Sequence, residues 1–123
     1  MTIMTDAEVK TYLKENEYPA HLVNGGKKGL IEQWEKFVAE VDRGYSLHLE
    51  DYRNDLDIRA LIARLGLQAE VEEADRRLRK LLIFSEESIW DCDDNPDAFW
   101  LYGYPQNAMG ELLEDLRAEG FIE

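Results

Sequence analysis

Cysteine and long apolar runs are what the sequence most conspicuously lacks. The 123-residue chain has one cysteine, Cys92, so it cannot form an internal disulfide. It contains no run of about 18 apolar residues, the length that a membrane-spanning helix requires. Its first residues, 1–14, lack the apolar segment of a secretory signal. Without an export signal or a disulfide, we predict a cytoplasmic protein that does not associate with membranes.

Motifs that support catalysis or cofactor binding are also missing. No serine lies in a G-x-S-x-G turn, and residues 25–29 lack the spacing of a phosphate-binding loop. The two histidines, His21 and His48, do not have the spacing of zinc ligands. Acidic residues flank Cys92 and disfavour its reactive thiolate form. We therefore predict no enzymatic activity, no catalytic residues, no metal site and no cofactor.

Basic residues are scarce, above all in the last third of the chain. The net charge is -13, from 27 acidic and 14 basic residues. Residues 1–84 have a net charge of -3, whereas residues 85–123 have a net charge of -10 and one basic residue, Arg117. Negative charge repels phosphate groups, so we expect no direct binding of nucleic acid and instead suspect a basic protein partner.

Most of the sequence shows the periodic spacing of apolar residues that is typical of helices. The clearest stripe of apolar residues lies in segment 27–43, and it consists of Leu30, Ile31, Trp34, Phe37, Val38 and Val41. Similar patterns, with helix-type starts and stops, predict further helices at 5–16, 47–65, 69–83 and 106–119. The stripe of 47–65 changes side near residues 54–57, so this helix is either buried on two sides or broken there.

The charges of segment 69–83 are ordered, with acidic residues first and basic residues last. This order complements the helix dipole. It also predicts three ion pairs between residues four apart. The pairs are Glu72–Arg76, Glu73–Arg77 and Asp75–Arg79.

Residues 88–104 allow two interpretations. Asn95, Pro96 and Asp97 resemble a helix start, which predicts a short helix through Tyr102. The alternative is a hairpin with its turn at residues 93–97 and an aromatic strand over 99–104. We prefer the helix. The whole chain, 1–123, is then a single acidic all-α domain, a compact bundle of five to six mostly antiparallel helices.

Residues 84–104 are the candidate functional segment. They contain six acidic residues, six aromatic residues and no basic residue. Aromatic residues provide binding energy at interfaces, and acidic residues attract a basic partner. The competing interpretation assigns the aromatic residues to the core and the acidic ones to a solvated surface. The predicted partner-binding residues are Glu86, Glu87, Trp90, Asp91, Asp93, Asp94, Asp97, Trp100 and Tyr102.

The sequence thus predicts a non-enzymatic, acidic protein-binding module, a monomer or weak homodimer. An inhibitor or immunity-type protein against a basic protein or nuclease fits this description. One alternative is a nucleic-acid mimic that occludes a DNA-binding protein. Another is a metal-dependent enzyme that uses helical carboxylates, for which Glu32–Glu35 and Glu72–Asp75 are the candidate pairs.

Overall fold

Helices make up most of the computed structural model, which describes residues 4–91 and 98–122. The predicted all-α class with five to six helices is confirmed, with a small two-stranded sheet added. No helix within the described ranges has the length and hydrophobicity needed to cross a bilayer. The elements are α1 (Asp6–Glu15), α2 (Ala20–Arg43), α3 (Leu49–Arg64), α4 (Glu72–Leu81), β1 (Leu82–Phe84), β2 (Gly103–Pro105) and α5 (Gly110–Ala118), with short 3₁₀ helices at Gln68–Val71 and Phe99–Leu101.

An aromatic cluster forms the centre of the core. Trp34 of α2 is fully buried and stacks on Phe37, with ring centroids 4.9 Å apart. Phe37 also contacts Tyr45 and Tyr52, at centroid distances of 5.8 and 5.5 Å. The predicted apolar stripe of α2 is therefore the face that packs against the rest of the protein.

α2 begins earlier than the sequence pattern predicts. The predicted helix begins at residue 27, but the observed helix starts at Ala20 and is interrupted at Gly26, whose φ is 59°. This left-handed conformation suits glycine, which has no Cβ. Directly after the interruption, the Lys27 N–H donates a hydrogen bond to the Asp6 carboxylate of α1 at 3.0 Å. Residue 27 is thus the start of a second helical stretch, as the periodicity indicates.

α3 is unbroken and buried on two sides, which decides between the two alternatives for this segment. Leu49, Tyr52 and Leu56 are buried along one line, and a second buried line includes Leu61 and Ile62. The shift of the apolar stripe along the sequence therefore reflects different neighbours at the two ends of one helix.

α4 and α5 are both shorter than predicted. α4 ends at Leu81 because Leu82 has extended backbone geometry and starts β1. α5 begins at Gly110 instead of residue 106. The backbone N–H groups of Gln106 and Met109 donate to Leu81 and Tyr45, each at 2.9 Å, so residues 106–109 are held by other elements.

Parts of both interpretations of residues 88–104 are present. Phe99–Leu101 is a 3₁₀ helix, and Gly103–Pro105 pairs antiparallel with β1, with Ile83 opposite Tyr104. The proposed turn at 93–97 lies outside the described residues. Hydrogen bonds from Ser85 N–H to Tyr102 and from Gln106 N–H to Leu81 fix the register. This register places Pro105 at a position where no N–H donor is needed.

Of the three ion pairs predicted in α4, one is formed. Arg76 lies 3.5 Å from Glu72 and also contacts Glu73. The prediction of a Glu73–Arg77 pair is wrong, because Arg77 instead contacts Asp42 of α2. The prediction of an Asp75–Arg79 pair is also wrong, because Asp75 faces the core and binds Arg59.

Candidate protein-binding surface

Residues 85–91, the described part of the acidic run, are fixed to the folded protein by their backbone. The Ser85 N–H donates to the Tyr102 carbonyl at 2.9 Å, and the Ile89 N–H donates to Leu101 at 2.6 Å. The Ile89 side chain is buried in the core. Residues 85–91 therefore run beside the 3₁₀ helix and β2, and their exposed side chains start from an ordered backbone.

Three of the predicted acidic residues, Glu86, Glu87 and Asp91, lie at the surface. The Ser85 hydroxyl donates to the Glu87 carbonyl at 2.8 Å, and the Ser88 hydroxyl donates to the Asp91 carboxylate at 2.5 Å. These local bonds shape the turn and leave the glutamate carboxylates in solvent. The acidic residues can therefore act on a partner at a distance, without first being uncovered.

Trp90 is half-buried against α3. Its Nε1 donates to Asp57 at 2.7 Å, and the Arg53 guanidinium lies over its ring, 5.6 Å from the centroid. Arg53 Nε in turn donates to the Ile89 carbonyl at 2.8 Å. These contacts hold one face of the indole in place. Sequence reasoning missed Arg53 and Asp57 because they lie more than 30 positions before Trp90 and belong to a helix without a motif.

A cleft of about 430 Å³ lies beside Trp90 and α5. Its lining includes three carboxylates, those of Glu50, Asp115 and Glu119. The pKa of Asp115 is below its ordinary value, mainly because its carboxylate accepts the Leu49 N–H hydrogen bond at 3.0 Å. Asp115 therefore keeps its charge over the physiological range. Arg53 also lines the cleft, so three carboxylates stand against one cation, and the remaining negative charge suits a lysine or arginine side chain.

The aromatic residues of the segment divide between core and surface. Trp100 is 2% exposed, so its side chain belongs to the core, as the competing interpretation expects, and is not accessible to a partner. Tyr102 is 40% exposed. Phe84 in β1 is 53% exposed, although we did not predict it as a binding residue. The signal for it was its place two residues before Glu86, the first acidic residue of the segment, in a strand too short to be recognised.

The described members of the predicted set thus include five surface residues and one core residue. Asp93, Asp94 and Asp97 lie outside the described residues. We use the name acidic–aromatic surface for the exposed or half-buried side chains of Phe84, Glu86, Glu87, Trp90, Asp91 and Tyr102.

The carboxylate pairs considered for metal catalysis do not come together. Asp75 is bound by Arg59, and the exposed Glu32 lies 3.7 Å from Lys28. Within residues 4–91 and 98–122, no group of three or more histidine, cysteine, aspartate or glutamate side chains could hold a metal ion.

Comparisons with known proteins give no relative for this chain. No protein-family model matches it, and no significant similarity connects it to a curated protein or to a solved structure.

Proposed function

We propose that this protein is a non-enzymatic, acidic binding module for a basic protein, of the inhibitor or immunity type, with a basic nuclease or toxin as the kind of target. The observation that carries the proposal is the acidic–aromatic surface. There, Glu86, Glu87 and Asp91 are exposed on a segment whose backbone is hydrogen-bonded to Leu101 and Tyr102.

The two residue types of this surface have different roles in association. Exposed carboxylates attract a basic partner from a distance and so raise the association rate. Phe84, Trp90 and Tyr102 offer apolar area that a partner can cover, which lowers the dissociation rate. The cleft beside Trp90 supplies three carboxylates that a basic side chain of the partner can contact.

A capture experiment in extract from the native cell tests this function. The site variant carries Glu86→Gln, Glu87→Gln and Asp91→Asn. A control variant carries Glu32→Gln, Glu35→Gln and Glu40→Gln on α2, which changes the net charge by the same amount. Quantitative mass spectrometry then compares the proteins retained. We expect a basic protein that wild type and control variant retain and the site variant loses. Equal loss with both variants would show only a general effect of net charge.

Binding kinetics with the captured protein separate the roles of charge and aromatic area. In surface plasmon resonance at two ionic strengths, the site variant should associate more slowly and with a weaker salt dependence. Trp90→Ala should mainly raise the dissociation rate. If the captured protein binds DNA without cleaving it, and DNA competes with the chain for it, the nucleic-acid mimic replaces the inhibitor of a nuclease as the function.

A further inference from the structure

A second cleft has the opposite character to the acidic–aromatic surface. It has a volume of about 440 Å³ and lies between α3, the 3₁₀ helix Gln68–Val71 and α4. Three of its lining residues are arginines, Arg59, Arg76 and Arg79, although the protein as a whole has a net charge of -13. Two acidic residues, Glu72 and Asp75, also line it. The cleft therefore has one more positive than negative side chain.

Arg59 supplies a buried donor that is not used. Its side chain is 4% exposed, and Asp75 accepts from its Nε and Nη2 at 3.0 and 2.7 Å. Its Nη1 is buried and has no hydrogen-bond partner among the described residues. Buried donors are nearly always paired in folded proteins, so Nη1 is a donor for which the described residues supply no acceptor, in a residue that also lines the cleft.

Arg79 is held in position without its charge being neutralised. Its guanidinium lies over the Phe99 ring, 4.3 Å from the centroid, and the Arg59 guanidinium lies over Trp100 at 4.1 Å. The two rings contact each other edge to face. None of the ion pairs between described residues includes Arg79. A stacked guanidinium keeps its N–H groups in its own plane, where they can bind an oxyanion.

We propose that this cleft binds a small molecule through a phosphate or carboxylate group. Arg79 and Arg76 contact this group beside the Arg59 guanidinium. Arginine pairs with both oxyanions through two parallel hydrogen bonds. Arg76 takes part by exchanging its exposed contacts with Glu72 and Glu73 for the ligand. This site is independent of the proposed function, since the acidic–aromatic surface attracts cations and this cleft attracts anions.

Titration of the full chain with inorganic phosphate, and separately with acetate, tests the site. Sodium chloride keeps the ionic strength constant, so general screening of the negative protein does not change during the titration. The readout is the set of ¹H–¹⁵N signals from the Trp100 indole and the arginine Nε groups. We expect saturable shifts of the Arg59, Arg79 and Trp100 signals. Saturation with phosphate alone identifies a phosphate ligand, and saturation with acetate alone identifies a carboxylate ligand. Saturation with both identifies a general oxyanion site.

Matched variants decide whether the arginines of the cleft are responsible. Arg79→Gln and Arg76→Gln replace exposed side chains, so the fold is retained, and each should weaken binding about tenfold, as expected for losing one charge-assisted hydrogen bond. Arg117→Gln on α5 removes the same charge from a residue that does not line the cleft and should leave binding unchanged. The proposal is overturned if neither anion gives a saturable shift, or if Arg117→Gln weakens binding as much as Arg79→Gln.

Discussion

Arg59 of α3 and Asp75 of α4 form a two-point ion pair in the interior, with distances of 2.7 Å from Nη2 to Oδ2 and 3.0 Å from Nε to Oδ1. The same Oδ1 accepts a hydrogen bond from Trp34 Nε1 of α2 at 2.9 Å. One carboxylate thus connects three helices. Both charged groups have given up most of their contact with water, so each depends largely on the other for compensation.

Removal of one member of this pair should be costly. We expect Arg59→Met to lower the free energy of unfolding by about 3–5 kcal/mol, because it leaves the Asp75 charge buried without a partner. Urea unfolding at neutral pH measures the loss. A loss below about 1 kcal/mol would show that solvent reaches Asp75 and compensates its charge.

The double variant Arg59→Met/Asp75→Leu is the control for this prediction. It removes both charges and leaves only the Trp34 Nε1 donor without its acceptor. We expect it to be more stable than Arg59→Met alone, since replacing both members of a buried ion pair by apolar residues is often neutral or stabilising. If the double variant is less stable than Arg59→Met, the unpaired charge of Asp75 is not the cause of the stability lost in Arg59→Met.

Trp34 should be the most sensitive apolar position of α2. We expect Trp34→Ala to reduce the free energy of unfolding by about 3–5 kcal/mol, since a large ring is lost from a fully buried site. The hydrogen bond to Asp75 is lost with it. Ile31 belongs to the same predicted stripe but is only half-buried, so Ile31→Ala is the comparison and should cost less. Equal losses in urea unfolding would contradict the assignment of the core face.

Periodicity was sufficient to predict the helices and the core face of α2, because these depend on residues a few positions apart. The same information was insufficient to predict whether Asp75 faces the solvent or the core. Its charge, four positions before Arg79, predicts a surface pair, but its place three positions before the buried Leu78 puts it on the inward face. Which tendency prevails depends on Arg59, 16 positions away, whose guanidinium makes burial of the carboxylate possible.

The candidate surface was predictable in composition but not in geometry. The sequence places exposed acidic residues at 86, 87 and 91. It does not reveal that Trp100 packs under Arg59, or that Trp90 binds Asp57, which is 33 positions away. Strands of three residues are also too short for an alternating pattern to identify them, so the exposed Phe84 was not recognised as part of the surface.

Two glycines of α2 should respond in opposite ways to the same substitution. Gly26 has a φ of 59°, and a Cβ there would clash with the Asp6 carboxylate. Gly26→Ala should therefore destabilise the protein by about 1–3 kcal/mol. At Gly29, a Cβ meets nothing within 4 Å, so Gly29→Ala should stabilise the helix by about 0.5–1 kcal/mol. Thermal unfolding of both variants checks these two predictions. A Gly26→Ala protein as stable as the wild type would contradict the left-handed conformation at Gly26.

The start of α3 should make stability depend on the protonation of His48. Its Nδ1 lies 3.1 Å from the Asp115 carboxylate, and its Nε2 lies 3.8 Å from Glu111. The hydrogen bond to Asp115, and then the charge of Glu111, raise the pKa of His48 above its ordinary 6.5. The folded state therefore binds this proton more tightly than the unfolded state does. The resulting stabilisation is fully present below pH 6.5 and is lost as pH rises through the folded pKa.

We expect the free energy of unfolding to fall more steeply between about pH 6 and about pH 8 in the wild type than in His48→Asn. Burial raises the pKa of Asp55, and this adds stability on acidification. That contribution is present in both proteins, so the difference between them isolates His48. His21→Asn, which removes the other histidine, is the matched control for the loss of one histidine. Urea unfolding at constant ionic strength provides the measurement. Parallel pH profiles for wild type and His48→Asn would mean that the contact with Asp115 does not distinguish the two protonation states.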